Sequence, residues 1–246
     1  MQRPADALIF PLDVATMEEA KRWVKELGPW VGMFKVGLEL FIQCGPAVVE
    51  MIRKESGAGI FLDLKLHDIP ATVFRAMTRI AELEVDLTTV HCGESRTMLE
   101  AAAAASEGRV RVLAVTVLTS VSADDIAIAG FRQRYAEDIF RLVRRRADMA
   151  KAAGLAGIVC SGLEVESLKR ELGGDFLAVT PGIRPAGDDG VVDDDQKRIV
   201  TPYAAISAGA DYLVIGRPVK EAAEPAEAAR QIGEEIARAL RDRAPG

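Results

Sequence analysis

The chain has 246 residues, with 31 Lys and Arg against 37 Asp and Glu, a net charge of −6 at pH 7. Apolar residues make up 49% and charged residues 28%, the mix of an ordinary globular protein long enough to bury a core without metal or disulfide staples. The mild acidity argues against a nucleic-acid binder that works by bulk positive charge, so an anionic ligand must be held by a few well-placed basic groups. No run reaches the ~18 consecutive apolar residues of a membrane span. The N-terminal MQRPADALIFPLDV places an acidic residue before a short apolar run, which reads as a buried strand rather than a signal peptide. Three cysteines, Cys44, Cys92 and Cys160, lack zinc-ligand or redox spacing. They are expected to be reduced thiols in a cytoplasmic protein.

Short β-type runs alternate with amphipathic helical runs along the whole chain. The first run, 8–14 (LIFPLDV), carries Asp13 near its end and precedes the helical stretch MEEAKRWVKEL. The second, 33–38 (MFKVGL), carries Lys35 and precedes PAVVEMIRKES. The third, 59–66 (GIFLDLKL), holds Asp63 and Lys65 and leads through His67 and Asp68 into ATVFRAMTRIAELE. The fourth, 87–92 (LTTVHC), precedes RTMLEAAAAASE. The fifth, 110–118 (VRVLAVTVL), is followed by a long connection over 119–130 and a helical region over about 132–153. The sixth is 157–162 (GIVCSG) and the seventh 176–182 (FLAVTPG). A second long connection, 183–199, comes before the eighth run, 211–217 (DYLVIGR). Apolar runs without polar alternation are what strands buried on both faces by helices look like. Eight of them, alternating with helices and with no linker between, predict a single-domain (β/α)₈ barrel over 1–246. An open doubly wound sheet is the alternative; it is disfavoured because no Gly-rich dinucleotide fingerprint follows the first strand.

In such a barrel the ligand site lies where strands end and βα loops begin. Polar residues gather at those ends: Asp13, Lys35, Asp63, Lys65, Asp68, Thr119, Ser120, Arg184 and the pair Gly216-Arg217. Charges in apolar strands are costly unless paired or bound to a ligand. Asp63 and Lys65 are two apart, so regular alternation would send both side chains into the barrel mouth. With Lys35 on the neighbouring strand and Asp68 just past the strand end, an alternating Lys–Asp–Lys–Asp array is expected. A salt-bridge network that only fixes the barrel would have the same spacing.

The segment FLDLKLHDIPATV resembles the signature of the orotidine 5′-phosphate decarboxylase family. LDV at Asp13, FKVG at Lys35, VTVLTS ending at Thr119-Ser120, TPGIRP around Arg184, DQKR at Gln196 and IGRP at Gly216-Arg217 follow in the family's order. The resemblance implies decarboxylation of orotidine 5′-monophosphate to UMP by a homodimer, with no cofactor and no metal. It implies that Lys35, Asp63, Lys65 and Asp68 form the charged catalytic array, with Lys65 protonating C6. Asp68 and Thr72 would reach into the partner subunit's site. Asp13 and Lys35 would contact the ribose, and Thr119 and Ser120 the pyrimidine edge, Ser120 being the better side-chain donor. Arg184, Gln196, Gly216 and Arg217 would hold the 5′-phosphate, with 183–199 as a lid.

Other residues draw blander readings. His67 is expected to support by hydrogen bonding, and His91 to be a buried polar support. Arg141, Arg144, Arg145 and Arg146 read as an exposed helical face, because Glu137, Asp138 and Asp148 flank them. The rivals in function are a Mg²⁺-dependent sugar-phosphate lyase or aldolase of the same superfamily, which shares the D-x-K-x-x-D strand, and a non-catalytic nucleotide sensor, which would be expected to lack Lys65 or Asp68.

Overall fold

The computed structural model describes residues 4–93, 95–185 and 200–243. Eight parallel strands, β1 (Leu8–Pro11), β2 (Met33–Val36), β3 (Gly59–Leu66), β4 (Leu87–His91), β5 (Arg111–Val115), β6 (Gly157–Val159), β7 (Leu177–Thr180) and β8 (Tyr212–Val214), close into a barrel in sequence order. β1 pairs with β8 to complete the ring. The single-domain (β/α)₈ expectation holds. All eight runs read from the sequence are strands, but seven end earlier than the apolar pattern suggests. Their last residues, which include Asp13, Gly182 and Gly216, already belong to the loops and helix starts of the C-terminal rim.

Helices surround the strands. After β1 comes α1 (Met17–Leu27), started by Thr16, whose hydroxyl accepts the Glu19 N–H at 3.2 Å. After β2 come α2 (Leu38–Cys44) and α3 (Ala47–Glu55). α4 (Pro70–Glu82) opens on a proline at its first turn, where the missing N–H does no harm, and Ile69 before it is held extended (ψ 150°). The HDIP segment thus both ends β3 and starts α4. α5 (Arg96–Ser106) follows β4. The connection read over 119–130 contains α6 (Ala123–Ile128), capped by Ser122 and Asp125, and is followed by α7 (Gln133–Glu137) and α8 (Ile139–Ala152). α9 (Val165–Leu172), α10 (Pro202–Ser207), α11 (Arg217–Lys220) and α12 (Pro225–Arg243) complete the ring. Among the described residues no helix is long and apolar enough to cross a membrane.

Two apolar clusters hold this architecture. The larger lies between barrel and helices. The smaller fills the barrel interior with Ile9, Met33, Phe61, Leu87, Leu113, Val179 and Tyr212, joined by Val159, Leu177 and Val214, so that every strand contributes. Two residues beyond Met33 and Phe61, on the same inward face, stand Lys35 and Asp63. The packed apolar layer is therefore the floor on which the first charged groups of the mouth rest.

Candidate active site

Asp63 is the hub of the mouth. Its side chain is 11% exposed, and its Oδ2 lies 2.7 Å from the Lys65 amine and 3.8 Å from the Lys35 amine. Lys35 also meets Asp13 Oδ1 at 3.3 Å, and the Lys220 amine donates to the Asp13 backbone carbonyl at 2.9 Å. The chain Asp13–Lys35–Asp63–Lys65 is thus continuous across the ends of β1, β2 and β3. Lys220, on α11, was not visible as part of it from the sequence, because a helical lysine carries no pattern of its own.

The route by which Lys65 reaches Asp63 differs from the alternation expected. Leu62 pairs with Thr88 of β4, but the next registered pair is Leu66 with Val90. β3 spends four residues where β4 spends two. Within this bulge Lys65 takes φ +51°, the left-handed region, which costs a non-glycine residue on the order of 1–3 kcal/mol. Thr89, fully buried on β4, sits against the bulge: its hydroxyl donates to Asp63 Oδ1 at 2.9 Å and accepts the Lys65 backbone N–H at 2.9 Å.

Asp68 departs from the expected array. It is exposed, its carboxylate accepts the Ile69 N–H at 2.6 Å, and among the described residues no ion pair joins it to Lys65 or Lys35. Thr72 is half-buried on the first turns of α4, accepting from Arg75 at 3.4 Å. Ile69 (65% exposed) and Phe74 (44%) stand beside them as exposed apolar surface.

Two cavities open at the mouth and share Lys35, Pro181 and Val214 as a common wall. One, of about 190 Å³, is largely apolar, lined by Phe61, Val115, Val117, Leu118, Val159 and Cys160, with Lys35, Asp63, Lys65 and Thr119 contributing its polar groups. The other, of about 220 Å³, is bounded by Asp13, Gly182, Arg184, Gly216 and Arg217. Gly216 is required there: a Cβ would lie 2.8 Å from Pro11 Cγ, so a side chain would force β1 and the β8 loop apart. Ser120 is exposed and lines neither cavity. Gln196 and residues 186–199 of the expected lid lie outside the described residues; the flanks of that segment are joined where Ile183 bridges Val200 and the Arg184 N–H donates to the Val200 carbonyl at 3.0 Å. Among the described residues no three His, Cys, Asp or Glu side chains converge as metal ligands.

A model of the orotidine 5′-phosphate decarboxylase / HUMPS family matches residues 6–232. The chain belongs to this family. It is 54% identical over 240 residues to the orotidine 5′-phosphate decarboxylase of Desulfosudis oleivorans, covering 97% of this chain and 96% of that protein. It is 46% identical to that of Trichlorobacter lovleyi, covering 93% and 94%. Its fold is similar to the crystal structure of orotidine 5′-phosphate decarboxylase from Lactobacillus acidophilus, with TM-score 0.77 and 35% identity over 93% of this chain and 98% of that one.

Around β3, several supporting residues take definite places. Arg146 is not part of an exposed basic face: it is half-buried, and its Nη1 donates to the Thr116 carbonyl at 2.6 Å, just beyond β5, while Arg141, Arg144 and Arg145 are exposed. Cys92 is buried, and burial pushes its thiol up to about 11, so it stays protonated at neutral pH. His67 is exposed and lies edge-on to the half-buried His91, ring centroids 6.3 Å apart. Burial above all, then the charges of Lys65 and His67, holds His91 below its ordinary 6.5. The unfolded chain therefore takes up this proton more readily than the folded chain. Stability from this group is fully present above about 6.5 and falls as the pH drops through that value towards the folded one. His91→Asn is expected to flatten that part of the pH dependence of the urea midpoint; an unchanged slope would show that His91 does not titrate in this way.

Proposed function

We infer that the chain decarboxylates orotidine 5′-monophosphate to UMP, the last step of pyrimidine nucleotide synthesis. The observation that carries this reading is one aspartate carboxylate shared by two lysine amines beside an apolar cavity, with an arginine-bounded cavity adjoining it. The relatives named orotidine 5′-phosphate decarboxylase, which match nearly end to end, support it and favour it over a sugar-phosphate lyase.

Loss of CO₂ from C6 of orotate leaves an electron pair in an sp² orbital with no adjacent sink. The site must meet that charge at one atom. An ammonium fixed in place does so without reorganising during the reaction. At about 4 Å and an effective dielectric near 20, one such charge contributes roughly 4 kcal/mol. Lys65 is the group for this task and then supplies the proton to C6. Asp63 holds Lys65 and Lys35 in position. Its repulsion of the substrate carboxylate is a second contribution of the same order, roughly 4 kcal/mol on the same arithmetic, and the harder one to establish.

The adjoining cavities suit the two ends of the nucleotide. The pyrimidine fits the apolar one, with Thr119 at its edge. Ser120, exposed as it stands, would have to turn inward to contribute. The 5′-phosphate fits the other, where the Arg184 and Arg217 guanidinium groups and the Gly216 backbone meet it, and Asp13 and Lys35 lie between for the ribose hydroxyls. Phosphate binding energy is thereby available to hold the ring against Lys65. The substrate being anionic at both ends, these basic groups also answer the chain's overall negative charge. A protein with a buried, unreactive thiol and free cysteines suits a reducing compartment such as the cytoplasm.

The working unit is a homodimer in which Asp68 and Thr72 complete the partner subunit's site. Among the described residues no ion pair engages Asp68, and the exposed Ile69 and Phe74 beside it are surface that a second copy would cover. Mixing Asp68→Ala with Lys65→Ala subunits is expected to restore activity that neither variant has alone, because one of the two sites in the hybrid is intact. No recovery after confirmed subunit exchange would refute shared sites.

Turnover followed by the loss of orotidylate absorbance tests the reaction itself, and it is expected to survive EDTA. Lys65→Ala should abolish it while UMP binding remains measurable. Arg217→Ala should raise KM strongly and lower kcat less. Equal, small losses from both changes would overturn the division between chemistry at Lys65 and grip at Arg217.

A further inference from the structure

We propose that Thr89 is the positioning residue of the Asp63–Lys65 pair, its hydroxyl setting both the rotation of the carboxylate and the place from which the lysine reaches the ring. This rests on the decarboxylase reading above and adds a residue to it.

A hydroxyl offers one donor and two acceptor lone pairs, so a single oxygen can make both bonds that Thr89 makes. Its proton goes to Asp63 Oδ1 at 2.9 Å, which leaves Oδ2 turned towards Lys65 at 2.7 Å and Lys35 at 3.8 Å. A carboxylate free to rotate would share its two oxygens between the amines in several ways. Tied at one oxygen, it presents the other to both. The hydroxyl's lone pair meets the Lys65 N–H at 2.9 Å. That N–H lies within the irregular stretch between the Leu62–Thr88 and Leu66–Val90 pairs, on a residue at φ +51°. The same atom thus anchors the backbone from which the Lys65 side chain springs and the carboxylate on which its far end rests. Thr89 is fully buried, so water does not compete for either bond. It touches no reacting atom; it acts through Asp63 and Lys65.

The neighbouring Thr88 supplies a control built into the same strand. It too is fully buried, and its hydroxyl donates across to β3, to the Leu62 carbonyl at 2.9 Å. It makes no bond to Asp63 or Lys65. A purely structural role for buried threonines between β3 and β4 would make the two equivalent.

The experiment compares the unaltered enzyme with Thr89→Val, Thr89→Ser and Thr88→Val for orotidylate turnover and for UMP affinity. Valine keeps the shape of threonine and makes neither bond. Thr89→Val is expected to lower kcat about 100-fold, the scale of a displacement near 1 Å at a reacting centre. Its UMP affinity should stay within about threefold, since the phosphate and ribose contacts are untouched. Thr89→Ser, which restores the hydroxyl, and Thr88→Val, which spares the pair, should each keep kcat within about threefold. Should the valine chain not fold, Thr89→Cys takes its place: the thiol is a weak donor and weak acceptor, and a loss of about tenfold or more is expected. Full activity in Thr89→Val or Thr89→Cys, or an equal loss in Thr88→Val, overturns the proposal while leaving the decarboxylase reading intact. An unaltered chain that fails to turn over orotidylate removes that reading, and this inference with it.

Discussion

One carboxylate shared by two amines, on top of an apolar barrel floor, is the constraint around which the rest of the mouth is arranged. Asp63 stands directly above Phe61 on the inward face of β3, where an unpaired charge would be poorly solvated. Lys65 and Lys35 answer it from its own strand and from the neighbouring one. Removing one member of a buried pair leaves the other uncompensated, at a cost of about 3–5 kcal/mol in the general case. The array is therefore demanding to build, and the bulge in β3 is part of that demand. A left-handed residue in a central strand is tolerated because Thr89 and Asp63 hold it from two sides.

This arrangement divides the work in space. The apolar cavity faces the lysine–aspartate pair, and the second cavity brings in the arginines, with Lys35 in the wall between them. A ligand that spans both would be gripped at the end remote from the reacting carbon. Binding energy collected at a phosphate can then be used to hold a ring where its charge will develop. The apolar lining matters to the same end, because a fixed charge acts more strongly where water is scarce.

Much of this could be read in the sequence, for identifiable reasons. Eight apolar runs alternating with helices specify the barrel because both periodicities persist along the whole chain. Asp13, Lys35, Asp63 and Lys65 stood out because charges in apolar strands are rare without a partner. What stayed hidden depends on backbone irregularity or on residues with ordinary reasons to be where they are. The pattern D-x-K looks the same in a regular strand and in a bulged one, so the meeting of Asp63 and Lys65 was legible while the path to it was not. By spacing Asp68 continues the array, but β3 ends at Leu66 and the chain turns away into α4. Thr89 is a β-branched residue in a strand, which needs no further explanation from sequence alone. Arg146 shares its run with exposed arginines, and only its bond to the Thr116 carbonyl just beyond β5 sets it apart from them. α2 and α6 are too short for a helical period to declare itself.

The measurement closest to the heart of the matter is a crystal structure with a UMP-like inhibitor bound. The Lys65 amine is expected within about 3–4 Å of the ring carbon that loses the carboxyl group, hydrogen-bonded to Asp63, with the phosphate against Arg217. An amine turned away from that carbon, with the nucleotide seated and the phosphate so held, would contradict the assignment of Lys65 as the charge that meets the carbanion.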